Sequence, residues 1–122
     1  MKNVIDIQKK NLFSLFELIK QNQELPIVPM VDYEIIGDDS GRWLGEWGNS
    51  YIGEYMLGED RVYFRDDKDP SEMERVVIEK YGYGVYEAMS WDEVKKDYAE
   101  MPWIKAIIIN IDLPGFSGGI GW

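Results

Sequence analysis

Twenty-three carboxylates and no histidine or cysteine set the chemistry open to this 122-residue chain. Without an imidazole or a thiol, most nucleophile–base constellations are missing, and no Gly-x-Ser-x-Gly elbow occurs. Phosphate loops of the Gly-x-x-x-x-Gly-Lys or Gly-x-Gly-x-x-Gly type are also absent, and Gly82-Tyr83-Gly84 is too short to stand for one. What remains is carboxylate chemistry. A pair of acids can drive glycoside hydrolysis or hold magnesium for phosphoryl transfer. Glu46, beside Trp47 within a strand, is the first residue to consider for such a hydrolase. The stretch 66–69 lacks the alternating oxygen ligands and central glycine of a calcium loop, so no metal and no cofactor is expected. The chain reads as non-enzymatic.

The distribution of the acids is more informative. Residues 32–74 hold 13 Asp/Glu against Arg42, Arg61, Arg65 and Lys68, a balance of −9, while the flanks carry +1 and −2. Asp38, Asp39, Glu59 and Asp60 fall in turns, and Asp66, Asp67 and Asp69 surround Lys68. One reading is a set of solvated acidic turns. The other is a surface that imitates nucleic-acid phosphates or complements a basic groove, helped by electrostatic steering. A pI near 4.4 argues against direct binding of nucleic acid or of an anionic membrane.

An aromatic set accompanies the acids: Trp43, Trp47, Tyr51, Tyr55 and Tyr63. These side chains suit a small core, or an interface or stacking anchor. Gly45 between the tryptophans leaves room for an approaching ligand. Arg61 and Arg65, on the Tyr63 face of their strand, would then contact an anion or carboxylate. A small-molecule module built from Trp43, Trp47, Tyr63, Arg61 and Arg65 is therefore the alternative to an acidic protein-binding surface.

The elements that must position these residues follow from spacing. Residues 5–22 form an amphipathic helix with Ile5, Leu12, Leu15, Phe16 and Ile19 on one stripe. The run 27–31 is a strand placed at a sheet edge by Pro29. Residues 42–47 and 61–65 alternate as strands, and 51–57 is ambiguous. Asp69-Pro70-Ser71-Glu72 opens a helix to Tyr81, ended by Gly82 and Gly84. Ser90-Trp91-Asp92-Glu93 opens another, with Trp91, Val94, Tyr98 and Met101 inward and Pro102 as its stop. Residues 103–111 are apolar on both faces, as a central covered strand requires. The fold class expected is α+β: a small, mainly antiparallel sheet with an N-terminal helix and two further helices packed on it. Residues 1–114 form a single domain, and 115–122 a glycine-rich tail.

No apolar run approaches the ~18 residues of a membrane span, and the charged start is not a secretory leader. With no disulfides, a cytoplasmic location is expected. Three stretches carry a resemblance: Leu25-Pro26-Ile27-Val28, Glu59-Asp60-Arg61-Val62-Tyr63-Phe64, and Met101-Pro102-Trp103-Ile104-Lys105-Ala106-Ile107-Ile108. Over roughly residues 10–111 the chain resembles the small acidic uncharacterised proteins of phages, prophages and mobile elements of Gram-positive bacteria. That resemblance implies a genetic setting in which small acidic proteins include anti-CRISPR and anti-restriction inhibitors of host defence nucleases. The partner expected is thus a basic, nucleic-acid-binding protein, contacted through Asp38, Asp39, Glu59, Asp60, Asp66, Asp67 and Asp69.

Overall fold

The apolar run at 106–109 is the hub of the sheet. A computed structural model of the protein describes residues 4–35 and 44–113. Its elements are α1 (Val4–Gln21), β1 (Ile27–Val31), a 3-10 turn (Tyr33–Ile35), β2 (Glu46–Leu57), β3 (Val62–Phe64), α2 (Pro70–Tyr81), α3 (Tyr83–Glu87), α4 (Trp91–Ala99) and β4 (Ile104–Asp112). The strand order is β1-β4-β2-β3. The fold is α+β, and β4 is internal to the sheet as its two-sided apolar pattern requires, with Ala106, Ile107, Ile108 and Ile109 buried.

One detail of the sheet goes beyond the sequence expectation. β1 pairs with β4 in parallel, Ile27 opposite Ile107 and Val31 opposite Ile111, so the sheet is mixed rather than purely antiparallel. Parallel neighbours need a long crossover, and residues 32–103 provide it. The neighbours of β4 are β1 and β2, whereas β3 pairs antiparallel with the end of β2, Tyr55 opposite Phe64. Pro29 does sit on the edge strand.

The chain forms two compact units, Met1–Gly53 with Lys105–Trp122, and Glu54–Ile104. In the first, Leu15 of α1 packs with Ile107 and Ile109, surrounded by Leu18, Ile19, Leu25 and Ile111. Ile5 and Phe16, expected on the inner stripe, are exposed, as is Phe13. Polar bonds to β2 accompany this roll of the helix, whose packed side is Leu15, Leu18 and Ile19. Gln8 Oε1 accepts the Trp47 N–H at 3.0 Å, and Asn11 Nδ2 donates to the Trp47 carbonyl at 2.7 Å. The register with β3 covers only Tyr55, Met56 and Leu57, so this stretch of β2 takes its partners from the helix instead.

The second unit has its own core of Tyr63, Met73, Val76, Val77, Val94, Tyr98 and Met101. α2 begins as predicted. Asp69 Oδ1 accepts the Ser71 and Glu72 N–H groups at 3.1 and 3.3 Å, with Pro70 in the first helical position. Its end needs Gly82, whose φ of +88° few other residues adopt and whose N–H reaches the Ile78 carbonyl at 2.7 Å. The capping box of α4 is complete: Glu93 N–H to Ser90 Oγ at 3.2 Å, and Ser90 N–H to Glu93 Oε1 at 3.0 Å. Trp91 points outward rather than inward, and Met101 is buried beyond the end of the helix. α3, a short helix with no buried residue, starts from Gly82 where sequence reading saw only a stop.

Two outcomes follow. Ile107→Asp places a charge at a site without solvent access, a cost of several kcal/mol against a total of ~5–15 kcal/mol. The variant should lose its cooperative melt, and retention of that melt would contradict the assignment of β4. Ser90→Ala should lower stability by about 1 kcal/mol, read as an earlier urea midpoint at unchanged slope. The Ser90 N–H, and then its hydroxyl, hold the Glu93 carboxyl below the usual carboxylate range. That contribution is full above the unfolded pKa and disappears as pH falls through the folded one. The gap between the two proteins should therefore narrow in acid, and coincident curves at neutral pH would show that Ser90 is not a cap.

Candidate functional site

The acidic turn between β3 and α2 is built rather than loose. Asp66 Oδ1 accepts the Lys68 N–H at 2.9 Å, closing a local turn. Its own N–H donates to the Tyr98 hydroxyl at 2.8 Å. Asp67 takes Arg65 through two bonds, Nε to Oδ1 at 3.0 Å and Nη2 to Oδ2 at 3.3 Å. Arg65 also reaches Glu54 at 3.2 Å. The Asp67 hydrogen bond, opposed by burial and reinforced by Glu54, raises the guanidinium above its ordinary value. Arg65 is thus a strut between acids, and Asp69 is a helix cap.

Glu59 and Asp60 are different. They sit in the β2–β3 turn, closed by the Gly58 N–H on the Arg61 carbonyl at 2.8 Å. The Glu59 N–H donates to Glu79 Oε1 at 3.0 Å. Both side chains project into solvent, with no side-chain partner among the described residues. Arg61 lies over the Tyr63 ring, 5.7 Å from its centroid. Tyr63 itself is 3% exposed and belongs to the core of the second unit, so it offers no stacking face. Trp47, in the first unit, is 42% exposed. Asp38, Asp39 and Trp43 lie outside the described residues.

Among the described residues of the first unit, Asp32 and Glu46 lie within electrostatic reach of Asp112. Glu46 is 1% exposed. Burial, with the like charges of Asp32 and Glu46, pushes the Asp112 carboxyl above the usual range. A side chain at Gly48 would run into the Asp112 carboxylate and the Asn110 carbonyl, so the missing Cβ serves this close approach. The opening expected at Gly45 is filled by the Ile111 side chain. Among the described residues no group of acids is arranged to hold a metal ion.

Sequence reading missed a groove in the second unit of about 420 Å³, lined by Met56, Leu57, Glu59, Val76, Glu79 and Met101 among others. Its sequence traces are an apolar residue running into the Gly58-Glu59-Asp60 turn and the Met101-Pro102 step, which only the fold brings together. Lys80, also on its wall, is engaged elsewhere. Its Nζ stands 3.7 Å from Asp97 and 4.8 Å from the centre of the Tyr81 ring.

No helix among the described residues is long and apolar enough to cross a membrane. No protein-family model, curated protein or solved structure matches the chain.

The raised Asp112 gives a test with a definite sign. Its charged form is disfavoured in the folded state, so the penalty is absent below the unfolded pKa and grows as pH rises through the folded one. Asp112→Asn should melt at a higher temperature than the parent at pH 7, with the difference vanishing in acid. A lower melting temperature at pH 7 would show that the carboxylate is held by favourable contacts instead.

Proposed function

We propose that this is a non-enzymatic binding protein whose acidic surface occupies a basic, nucleic-acid-binding groove on a bacterial protein. A defence nuclease is the most concrete candidate, in keeping with the resemblance to small acidic proteins of mobile elements. One observation carries the reading: the second unit holds 14 Asp/Glu against seven Lys/Arg, and its cations are largely tied to neighbouring acids. Arg65, Arg75, Lys80 and Lys95 all stand in ion pairs. The unmatched carboxylates, Glu59 and Asp60 foremost, face solvent, where a basic partner would meet them. The alternative small-molecule module loses Tyr63 to the core, while Trp47 stays exposed.

The test is capture from a bacterial lysate on the immobilised chain, at low and high salt and with duplex DNA as competitor. Capture should weaken steeply with salt, because exposed charges are screened beyond ~10 Å at 0.1 M, and DNA should compete. Glu59→Lys with Asp60→Lys should abolish it. Neutralising Lys9, Lys10 and Lys20 on α1 should not. If the turn variant captures as the parent does, or only the helix variant fails, the acids serve solvation alone.

A further inference from the structure

We propose that the groove of the second unit is the anchor point for a short basic amphipathic segment, inserting one apolar side chain while flanking Lys or Arg residues meet Glu59 and Glu79. This rests on the reading that the partner is basic, and adds which part of it is gripped and where.

The groove has an apolar interior with an acidic mouth. Met56, Val76 and Met101 line it, and Leu57, 71% exposed, is a large apolar side chain left in water at its edge. Methionine is unbranched and polarizable, and suits pockets that accept more than one apolar shape. About 420 Å³ lies within the ~300–1,000 Å³ typical of ligand sites. Of the carboxylates lining it, Glu79 is held in place by accepting the Glu59 N–H at 3.0 Å. Glu59 itself projects from the turn above.

Charge complementarity selects the occupant. An acidic apolar segment would bring like charges against Glu59 and Glu79. A neutral one would draw both carboxylates out of water without bringing a cation to them. The cation on the groove wall, Lys80, is drawn to Asp97 and the Tyr81 ring, so it does not neutralise the mouth. Arg61 is similarly placed over the Tyr63 ring. A segment presenting a leucine or phenylalanine beside a lysine or arginine satisfies both halves of the site. Such segments occur where basic proteins approach phosphates, which joins the groove to the proposed function.

The experiment follows backbone amide resonances during titration of the whole chain with three synthetic peptides of equal length: alternating Leu and Lys, Lys alone, and alternating Leu and Glu. The Leu/Lys peptide should shift the amides of Met56, Leu57, Gly58, Glu79 and Met101. It should also bind about tenfold more tightly than oligolysine, as expected for burying one large apolar side chain. Leu57→Glu should reduce it to the oligolysine level, and so should the milder Leu57→Ser if the first variant is unstable. The Leu/Glu peptide should not bind. Equal binding of the Leu/Lys peptide and oligolysine, with shifts confined to the acidic turns, would overturn the groove while leaving the acidic-surface reading intact. Absence of binding by either cationic peptide would overturn both. Shifts of the same groove amides on raising protein concentration alone would assign the groove to a second copy of the chain and overturn the proposal.

Discussion

A buried tyrosine hydroxyl must find a partner, because an unsatisfied polar group inside a core costs ~1–3 kcal/mol. Tyr98, with no solvent exposure, meets that need through the Asp66 N–H. The same residue takes the Trp103 indole at its edge, with ring centroids 5.1 Å apart at 66°, and accepts the indole N–H on its carbonyl at 2.8 Å. One residue of α4 thereby ties together the approach to β4, the core of the second unit and the turn that leads into α2. The acids beyond Asp66 are arranged from that fixed point. Asp67 draws in Arg65, Arg65 draws in Glu54, and Asp69 caps the helix. A turn dense in negative charge is thus held in one shape by its core.

This division of labour among the acids bears on function. Exposed ion pairs contribute only ~0–1 kcal/mol each, and an excess of one sign destabilises the compact state through self-repulsion. Stability has to come from the two apolar cores, around Leu15, Ile107 and Ile109, and around Val76, Val77, Val94 and Tyr98. Asp66, Asp67 and Asp69 are accounted for by turn, strut and cap. Glu59 and Asp60 have no such structural account, and they adjoin an apolar groove that contains an exposed leucine. The proposed binding role accounts for charge and exposed apolar surface side by side there.

What could be read from the sequence was what local physics decides. The starts of α2 and α4 were legible because a cap acts within four residues, and the burial of β4 because its apolar run has no polar face. The parallel pairing of β1 with β4 was not, since nothing in Ile27–Val31 encodes a partner eighty residues away. β2 was read as two pieces because Gly48, Asn49 and Ser50 interrupt the strand pattern. At Gly48 the absent side chain makes room for Asp112 and Asn110 of the neighbouring strand. The outward turn of Phe16 escaped an amphipathic reading because the apolar residues of α1 span more arc than the core covers, and Leu15, Leu18 and Ile19 take the inner side. In the candidate site, Glu59 and Asp60 were legible from charge and from the turn composition of Gly58-Glu59-Asp60. Tyr63 was placed in a ligand face because alternation cannot say which face of a strand is covered, and the groove escaped because its walls are distant in sequence.

In the proposed function the acidic surface takes the place of nucleic acid on its partner. The most direct measurement is fluorescence anisotropy of a labelled duplex bound to the captured partner, titrated with this chain. The duplex should be released in step with occupancy, one chain per binding groove, and the Glu59→Lys, Asp60→Lys variant should release none. A ternary complex in which the chain binds and the duplex stays would contradict it.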